Sequence, residues 1–310
     1  MRAKDQMKRG LYQLLKGPGP ERIIARAHAA TSGLPSSPLQ DWLLKLTPHP
    51  ESYGPDELRR VHRADGDWVF RPANYFQWHH YFQLPDGVLE ALVRACRAGD
   101  VVLDIGANVG LYAVRMARAV GESGRVYAFE PNPETFAVLE EHARLNRVPQ
   151  VRPQALAAGA EASTAVLQGI GSDDVGKCSL RSGEAGIAVA SVRVVTVDDF
   201  YRDQGLERVD LIKVDVEGFE PEALQGAQRT IEAHWPLLCL ELSPQWYGGR
   251  EGMLREAMRW ADDSPYSFHE IVDRDIRPFD LAGFLTHLGP DKPQKNVLAV
   301  PPARRASLGV

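Results

Sequence analysis

From about residue 86 onward, short apolar runs alternate with stretches whose apolar residues recur at helical spacing. The runs 101–105, 125–129, 150–156, 211–214 and 237–240 read as buried strands. Val88, Leu92 and Ala95 share one face of a helix over 86–97, and Ala113, Met116, Ala117 and Val120 share a face of the next. Asn132 before Pro133 predicts a capped helix start, because Asn accepts from open N–H groups and proline needs no donor there. Asp198 or Asp199 starts a short helix. A longer helix has Pro221 in its first turn and carries Phe219, Ala223, Ala227 and Ile231 on one face. A helix near 250–261 and strands near 267–272 and 297–300 complete the pattern. Strand–helix alternation of this kind builds a mostly parallel sheet with helices on both faces, an α/β fold. One excursion interrupts it: strands over 164–167 and 189–197 flank a glycine-rich polar loop at 169–187, expected to act as a lid or acceptor-binding segment.

Residues 1–85 read differently. They are rich in proline, glycine and aromatic residues, with breaks at Gly17-Pro18-Gly19-Pro20 and Pro35-Ser36-Ser37-Pro38. Helices are expected over 5–16, 21–31 and 39–46, and a strand over 68–71. The region reads as a helical and irregular N-terminal extension, a cap leading into a domain over 86–303. A chain of 310 residues suits this division. A net charge of −5 lacks the basic excess of a nucleic-acid surface, and Arg2, Lys4, Lys8 and Arg9 read as a solvated helix face. Cys96, Cys178 and Cys239 are scattered, so neither a zinc site nor a disulfide framework is indicated. No signal-peptide core or membrane-length apolar run appears, so a cytoplasmic protein without membrane or nucleic-acid partners is expected.

The chemistry concentrates at strand ends. Asp104-Ile-Gly106-Ala107-Asn108-Val-Gly110 follows the first strand and opens a helix. Gly106 would let a ligand approach the backbone, and Gly110 would leave open N–H groups facing it. The spacing is not GxGxxG, which weakens a nicotinamide reading, while the acidic residue at the strand–turn junction favours S-adenosylmethionine. Glu130, ending the second strand before Pro131 and Asn132, can offer two oxygens to vicinal ribose hydroxyls. A third block, 210–220, carries Lys213 within an apolar strand and delivers Asp215 and Glu217 to its carboxyl end. Charge beside a buried strand is costly unless paired or used. Lys213 therefore reads equally as a structural ion pair or an active-site group.

Together, the blocks 99–110, 128–133 and 212–220, continued by Leu224-Gln-Gly-Ala227 and Leu240-Glu241, resemble the FkbM family of S-adenosylmethionine-dependent methyltransferases over roughly residues 85–300. The resemblance implies the class I methyltransferase fold, a Rossmann-like seven-stranded sheet whose last strand is antiparallel, with 297–300 as that strand. It implies O-methylation of a hydroxyl on a small molecule such as a sugar, a glycolipid or a polyketide-type natural product. It also implies cofactor contacts from Asp104, Gly106, Ala107, Asn108, Gly110, Glu130, Pro131, Asn132, Ala155 and Asp215.

For the acceptor's proton, Asp215 is the first candidate base, followed by Glu217 and Glu241. His79 and His80 are further candidates, although adjacent strand residues point to opposite faces and a packed aromatic connector explains them better. A divalent metal between Asp215 and Glu241, with Asp173 or Asp174 adding a ligand, is a second route. Two competing functions are a nucleotide-sugar or nicotinamide oxidoreductase and a non-catalytic partner that keeps the fold. The first lacks GxGxxG and a Tyr-x-x-x-Lys pair; the intact Asp104, Glu130 and Asp215 speak against the second.

Overall fold

A computed structural model describes residues 3–32, 38–169, 178–180 and 187–310. The chain forms two compact units, Met1–Asp86 and a larger one from Gly87 onward.

The first unit holds helices α1 (Ala3–Leu15), α2 (Pro18–Thr31) and α3 (Pro38–Leu46), a hairpin of β1 (Arg59–Arg63) and β2 (Gly66–Phe70), and helix α4 (Tyr75–Tyr81). Pro18 suits the first turn of α2, where its missing N–H is no loss. The strand β1 reads Arg-Arg-Val-His-Arg, so no apolar run announces it. The stretch around His79 and His80 is helix, not strand, and Asn74 caps it by accepting from Gln77 N. Trp68, Phe70, Tyr81 and Phe82 fill the core. Into that core goes Glu21, fully buried. It accepts from Arg59 Nε at 2.7 Å, Tyr81 Oη at 2.7 Å, Tyr53 Oη at 2.9 Å and Gly17 N at 2.9 Å. Burial alone would raise its carboxyl, but the bonds from Arg59, Tyr81, Gly17 and Tyr53 outweigh burial and leave it below the usual range.

The second unit opens with helix α5 (Gly87–Ala95), strand β3 (Val101–Ile105), helix α6 (Leu111–Val120), strand β4 (Arg125–Phe129) and helix α7 (Pro133–Leu145). Strands β5 (Val151–Gln154) to β9 (Ile187–Val195) follow, with β6 (Ala157–Ala158), β7 (Ser163–Gly169) and β8 (Cys178–Ser179) between them. Then come α8 (Val197–Asp203), β10 (Leu211–Val214), α9 (Glu220–Gln225), α10 (Gln228–His234), β11 (Leu237–Leu242) and α11 (Glu251–Ala257). The unit closes with β12 (Ser267–Val272), β13 (Asp275–Pro278), α12 (Leu281–Thr286), β14 (Lys295–Val300) and α13 (Arg305–Leu308).

The main sheet has the order β13-β12-β14-β11-β10-β3-β4-β5. Strands β11, β10, β3, β4 and β5 run parallel, and β14 is antiparallel to both neighbours. This is the expected class I methyltransferase sheet, lengthened at one edge by an eighth strand. That strand, β13, returns from β12 through a two-residue turn at Asp273 (φ 55) and Arg274, which carries no glycine signal. Leu103, Ile105, Ile212, Val214, Leu238 and Leu240 share a core with Phe200, Leu224, Ile231 and Leu254. The alternate residues, Val102, Asp104, Leu211 and Lys213 among them, face the other way, and α6 packs against β3, β4 and β5. Strands β6 to β9 form a separate small sheet, bulged between Leu167 and Gln168. Most of the expected lid at 169–187 lies outside the described residues.

Two local readings are corrected. Thr196, not Asp198 or Asp199, caps α8 by accepting from Asp199 N, while Asp198 accepts from Thr230 N and Oγ1 at 2.8 and 2.7 Å. The single helix expected around Pro221 is two, α9 and α10. The chain breaks at Gly226, where a Cβ would lie 2.0 Å from Gly159 O.

His28 gives the first unit a pH response. It is buried, with Nε2 2.8 Å from Thr47 Oγ1, and burial followed by the His79 charge lowers it to about 4. Below the ordinary histidine range the unfolded chain takes up a proton that the folded chain refuses. Stability of this unit should therefore fall as pH drops from 6.5 toward about 4. Urea midpoints at neutral and acid pH should drop less in His28→Gln than in the native chain. Equal drops would show that another group sets the response.

Candidate active site

The parallel strands point their carboxyl ends the same way, where ligands of α/β sheets bind. The loop 106–110 follows β3, Glu130 follows β4, exposed Ala155 follows β5, Asp215 and Glu217 follow β10, and Glu241 is the penultimate residue of β11. Nearly all the expected cofactor and acid–base positions thus gather at one sheet edge.

The loop is held mainly by its own chain. Gly106 N and Ala107 N both donate to Phe129 O, at 3.1 and 2.9 Å, and Gly110 N donates to Ala107 O at 2.9 Å. Asn108 (φ 50) donates its N–H to Glu130 Oε2 at 3.0 Å, and Val109 N donates to Asn108 Oδ1 at 2.8 Å. The N–H of Gly110 is therefore not an open donor, contrary to the sequence expectation. Glycine at 106 is forced by φ 81 and by Asp215 O, 1.8 Å from where a Cβ would sit. At Gly110, also φ 81, a Cβ would meet Leu139 Cδ1 of α7 at 2.6 Å. Packing within the chain already demands both glycines.

Glu130 is only 8% exposed. Its second oxygen accepts from Asn132 N at 2.9 Å, and Asn132 in turn caps α7 by accepting from Glu134 N at 3.0 Å. Burial raises its carboxyl to about 7, against the pull of the Asn132 and Asn108 N–H groups. Pro131 lies between these two residues.

Lys213 is the charge around which the neighbouring strand ends are arranged. Its Nζ lies 2.9 Å from Asp215 Oδ2, 3.7 Å from Asp104 Oδ1 and 3.4 Å from Gly106 O, and sits over the Tyr112 ring at 5.0 Å. Asp104 is its register partner on β3 and is fully buried. Both Asp104 oxygens lack a hydrogen-bond partner, so the ion pair with Lys213 is its main compensation. Burial raises the Asp104 carboxyl even so, because one ammonium serves two carboxylates. Asp104 offers no surface to a ligand and acts on the site through Lys213, a correction to its expected place among the contacts.

Asp215 also shares a hydrogen bond with Glu241. Burial, then the Asp215 and Glu217 carboxylates, hold Glu241 well above the carboxylate range. Glu241 bonds to Asp215, and its Oε1 accepts from Gln294 Nε2 at 2.6 Å. Glu217 has φ 50, unusual for a non-glycine residue. The turn that imposes this is braced from behind. Buried Glu220 accepts from Gly218 N at 3.0 Å and Val216 N at 3.2 Å, and Arg250 Nη2 donates to Gly218 O at 2.7 Å. Sequence reasoning gave no role to Glu220, Arg250, Gln294 or Tyr112. Only Glu220 left a signal, as the last charge of the block 210–220.

His79 and His80 belong to the first unit and have partners there. His79 Nε2 lies 3.0 Å from Pro85 O, and His80 Nε2 lies 3.5 Å from Asp86 Oδ2. Burial lowers His79. Among the described residues no group of three or more His, Cys, Asp or Glu side chains is arranged to hold a metal ion, so no step is derived through one. Asp173 and Asp174 lie outside the described residues. Among those residues, no helix is long and apolar enough to cross a membrane.

A family model, the methyltransferase FkbM domain, matches residues 104–274. The methyltransferase sdnD of Sordaria araneosa is 30% identical over 167 residues, covering 44% of this chain and 62% of its own. The 31-O-demethyl-FK506 methyltransferase FkbM of Streptomyces tacrolimicus is 30% identical over 168 residues, covering 45% and 63%. The hexuronic acid methyltransferase AglP of Haloferax volcanii is 27% identical over 151 residues, covering 47% and 57%. The chain thus spans about three-fifths of the length of these curated relatives. Among solved structures, methyltransferase FkbM from Methylobacillus flagellatus KT is similar over 90% of this chain and 58% of its own, at 18% identity and a TM-score of 0.42.

Since Gly106 is packed against Asp215 O, Gly106→Val should destabilise the ligand-free chain, by about 3 kcal/mol or more from backbone strain and overpacking together. Chemical denaturation without ligand checks this. Native stability with only ligand binding lost would return the glycine to a ligand-approach role.

Proposed function

The chain belongs to the methyltransferase FkbM domain family, and from that premise we propose that it is an S-adenosylmethionine-dependent O-methyltransferase acting on a hydroxyl of a small molecule. Sugars, glycolipids and polyketide-type natural products are the acceptor classes in view. The FkbM and AglP relatives, named for methylation of an FK506 precursor and of a hexuronic acid, support that range. The observation that carries the reading is the meeting of a buried carboxylate, Glu130, with the Asp215–Glu241 pair at one edge of the sheet.

The residues fit the cofactor. A carboxylate has about four acceptor positions, and Glu130 spends two of them on backbone N–H groups. The remaining pair suits two vicinal ribose hydroxyls. The acidic strand end, with Asp215 and Glu217, favours a sulfonium cation. When bound, S-adenosylmethionine supplies an electrophilic methyl group. The protein's part is alignment and proton handling.

Asp215 is the base in this proposal. Its Oδ2 is held by Lys213 at 2.9 Å, and its side chain remains about one-third exposed, open to an acceptor hydroxyl. Glu241 retains its proton and donates a hydrogen bond to Asp215, so it steadies the base without adding a charge. As the acceptor oxygen attacks, its proton passes to Asp215. Lys213 and Asp104 are positioning residues in this scheme.

Mass spectrometry of hydroxylated acceptors incubated with methyl-labelled S-adenosylmethionine should show a single added methyl group on oxygen. Label on no acceptor, or on nitrogen or carbon, would contradict the proposal. Asp215→Asn should cut turnover about a hundredfold or more, the scale of lost acid–base help, with little change in S-adenosylhomocysteine affinity. Near-native turnover would make Asp215 structural.

Glu130 gives the binding step a pH signature. Its carboxyl stands near 7 in the free protein. Ribose hydroxyls donate to the ionised form, so binding should release a proton below that range. Affinity for S-adenosylhomocysteine should rise as pH climbs through about 7 and level off above it. Calorimetry in two buffers of different ionisation enthalpy reads the proton directly. Buffer-independent heats would remove Glu130 from the ligand.

A further inference from the structure

A second charged site lies within the first unit, away from any role assigned above. A cavity of about 490 Å³ is lined by Arg22, Arg26, His62, Arg63, Tyr81 and Gln83. No lining residue is acidic. Arg22 and Arg26 stand four residues apart on α2, so their guanidinium groups share one face. Like charges at that spacing repel unless something lies between them. Small residues, Ala25 and Ala29, line the same stretch and leave the room open.

Arg22 and Arg26 make no hydrogen bond or ion pair among the described residues. Arg63 is more telling. It shares the inner face of β1 with Val61 and is largely withdrawn from water, which lowers its guanidinium. Its partners are neutral: Nη1 donates to His80 O at 2.8 Å, Nη2 donates to Tyr81 O, and the group lies over the rings of Phe70 and Tyr81 at 5.4 and 5.9 Å. Among the described residues no carboxylate lies within ion-pair distance of it; Asp65 acts on it only through space. The nearest buried anion, Glu21, is already bound by Arg59 and by the Tyr81 hydroxyl. His62 carries its own partner, Asp67, at 2.7 Å.

A desolvated guanidinium without a carboxylate is costly, and here two unpaired ones stand with it around one hollow. Gln83 completes the wall from a left-handed backbone conformation (φ 56), its Nε2 donating to Ala25 O at 3.2 Å. A single carboxylate would answer one of these three cations. A phosphate monoester or diphosphate brings at least two charges, and its oxygens match the planar forks of arginine.

We propose that this cavity binds the phosphate group of a small phosphorylated molecule, through Arg22, Arg26 and Arg63. The site stands on the first unit alone and does not depend on the methyl-transfer reading.

The test is calorimetric titration of the full chain with inorganic pyrophosphate at low salt, with phosphatidylglycerol vesicles as a second arm. The native chain should bind pyrophosphate saturably. Arg22→Gln with Arg26→Gln, both on an exposed helix face, should weaken it by about tenfold or more, as expected for lost charge-assisted hydrogen bonds. Arg60→Gln, which removes an equal charge from β1 outside the cavity, should leave affinity within about twofold. Circular dichroism confirms that the variants fold. No binding at millimolar pyrophosphate would overturn the proposal. So would equal loss in the Arg60 variant, which marks diffuse charge attraction. Sedimentation with vesicles but no response to free pyrophosphate would overturn it as well, by assigning the arginines to a lipid surface.

Discussion

One ammonium group holds the site together. Lys213 lies inside the sheet, between the carboxylates of Asp104 and Asp215 and beneath the carbonyl of Gly106. Burial alone would strip its proton, yet the two carboxylates outweigh burial and keep it charged. The arrangement costs desolvation at three groups, which is why apolar residues of like volume often replace such clusters without loss. Its retention is understandable if the charge serves the site. Through Lys213, the fully buried Asp104 shapes the setting of Asp215, whose carboxylate is about one-third exposed.

The same region shows how backbone constraint becomes chemistry. Two neighbouring loops interlock where Gly106 packs on Asp215 O. Each then runs through a left-handed non-glycine residue, Asn108 in one and Glu217 in the other. Such conformations cost about 1–3 kcal/mol each and persist only where the surroundings enforce them. Here Glu130 enforces the first by accepting from Asn108 N, and Glu220 with Arg250 enforces the second through Gly218. Glu130 and Glu220 are thus fixed by backbone partners, which favours preorganisation over adjustment on binding.

Much of this was legible in the chain. Strands β3, β4, β10 and β11 are mostly apolar, broken in the middle strands only by Asp104 and Lys213, because a parallel strand is buried on both faces, so their ends and the carboxylates beyond them could be placed. Asn132 and Pro133 announced α7 through cap chemistry alone. Hidden elements lacked a local signal. β1 is almost wholly charged, and β13 turns at Asp273 without glycine. The glycine at the junction of α9 and α10, Gly226, is required by Gly159, about seventy residues away in sequence. In the site, residue types were readable but their geometry was not. Gly106 and Gly110 read as room for a ligand, and close packing of the chain by itself also requires glycine at both. Asp104 looked like a contact and is a buried partner. Gln294 and Arg250 reach the site from distant segments, which no spacing rule could show.

The claim that Lys213 organises the strand ends is tested most directly by a double-mutant cycle in unfolding free energy. Asp104→Asn and Lys213→Met would be measured singly and together by urea denaturation. If the pair is the coupled unit described, Lys213→Met strands the buried Asp104 carboxylate while Asp104→Asn leaves Lys213 its bond to Asp215, and the double variant should recover about 1–3 kcal/mol relative to the sum of the two. Additivity within about 0.5 kcal/mol would contradict it, and would reduce Lys213 to one buried charge among others.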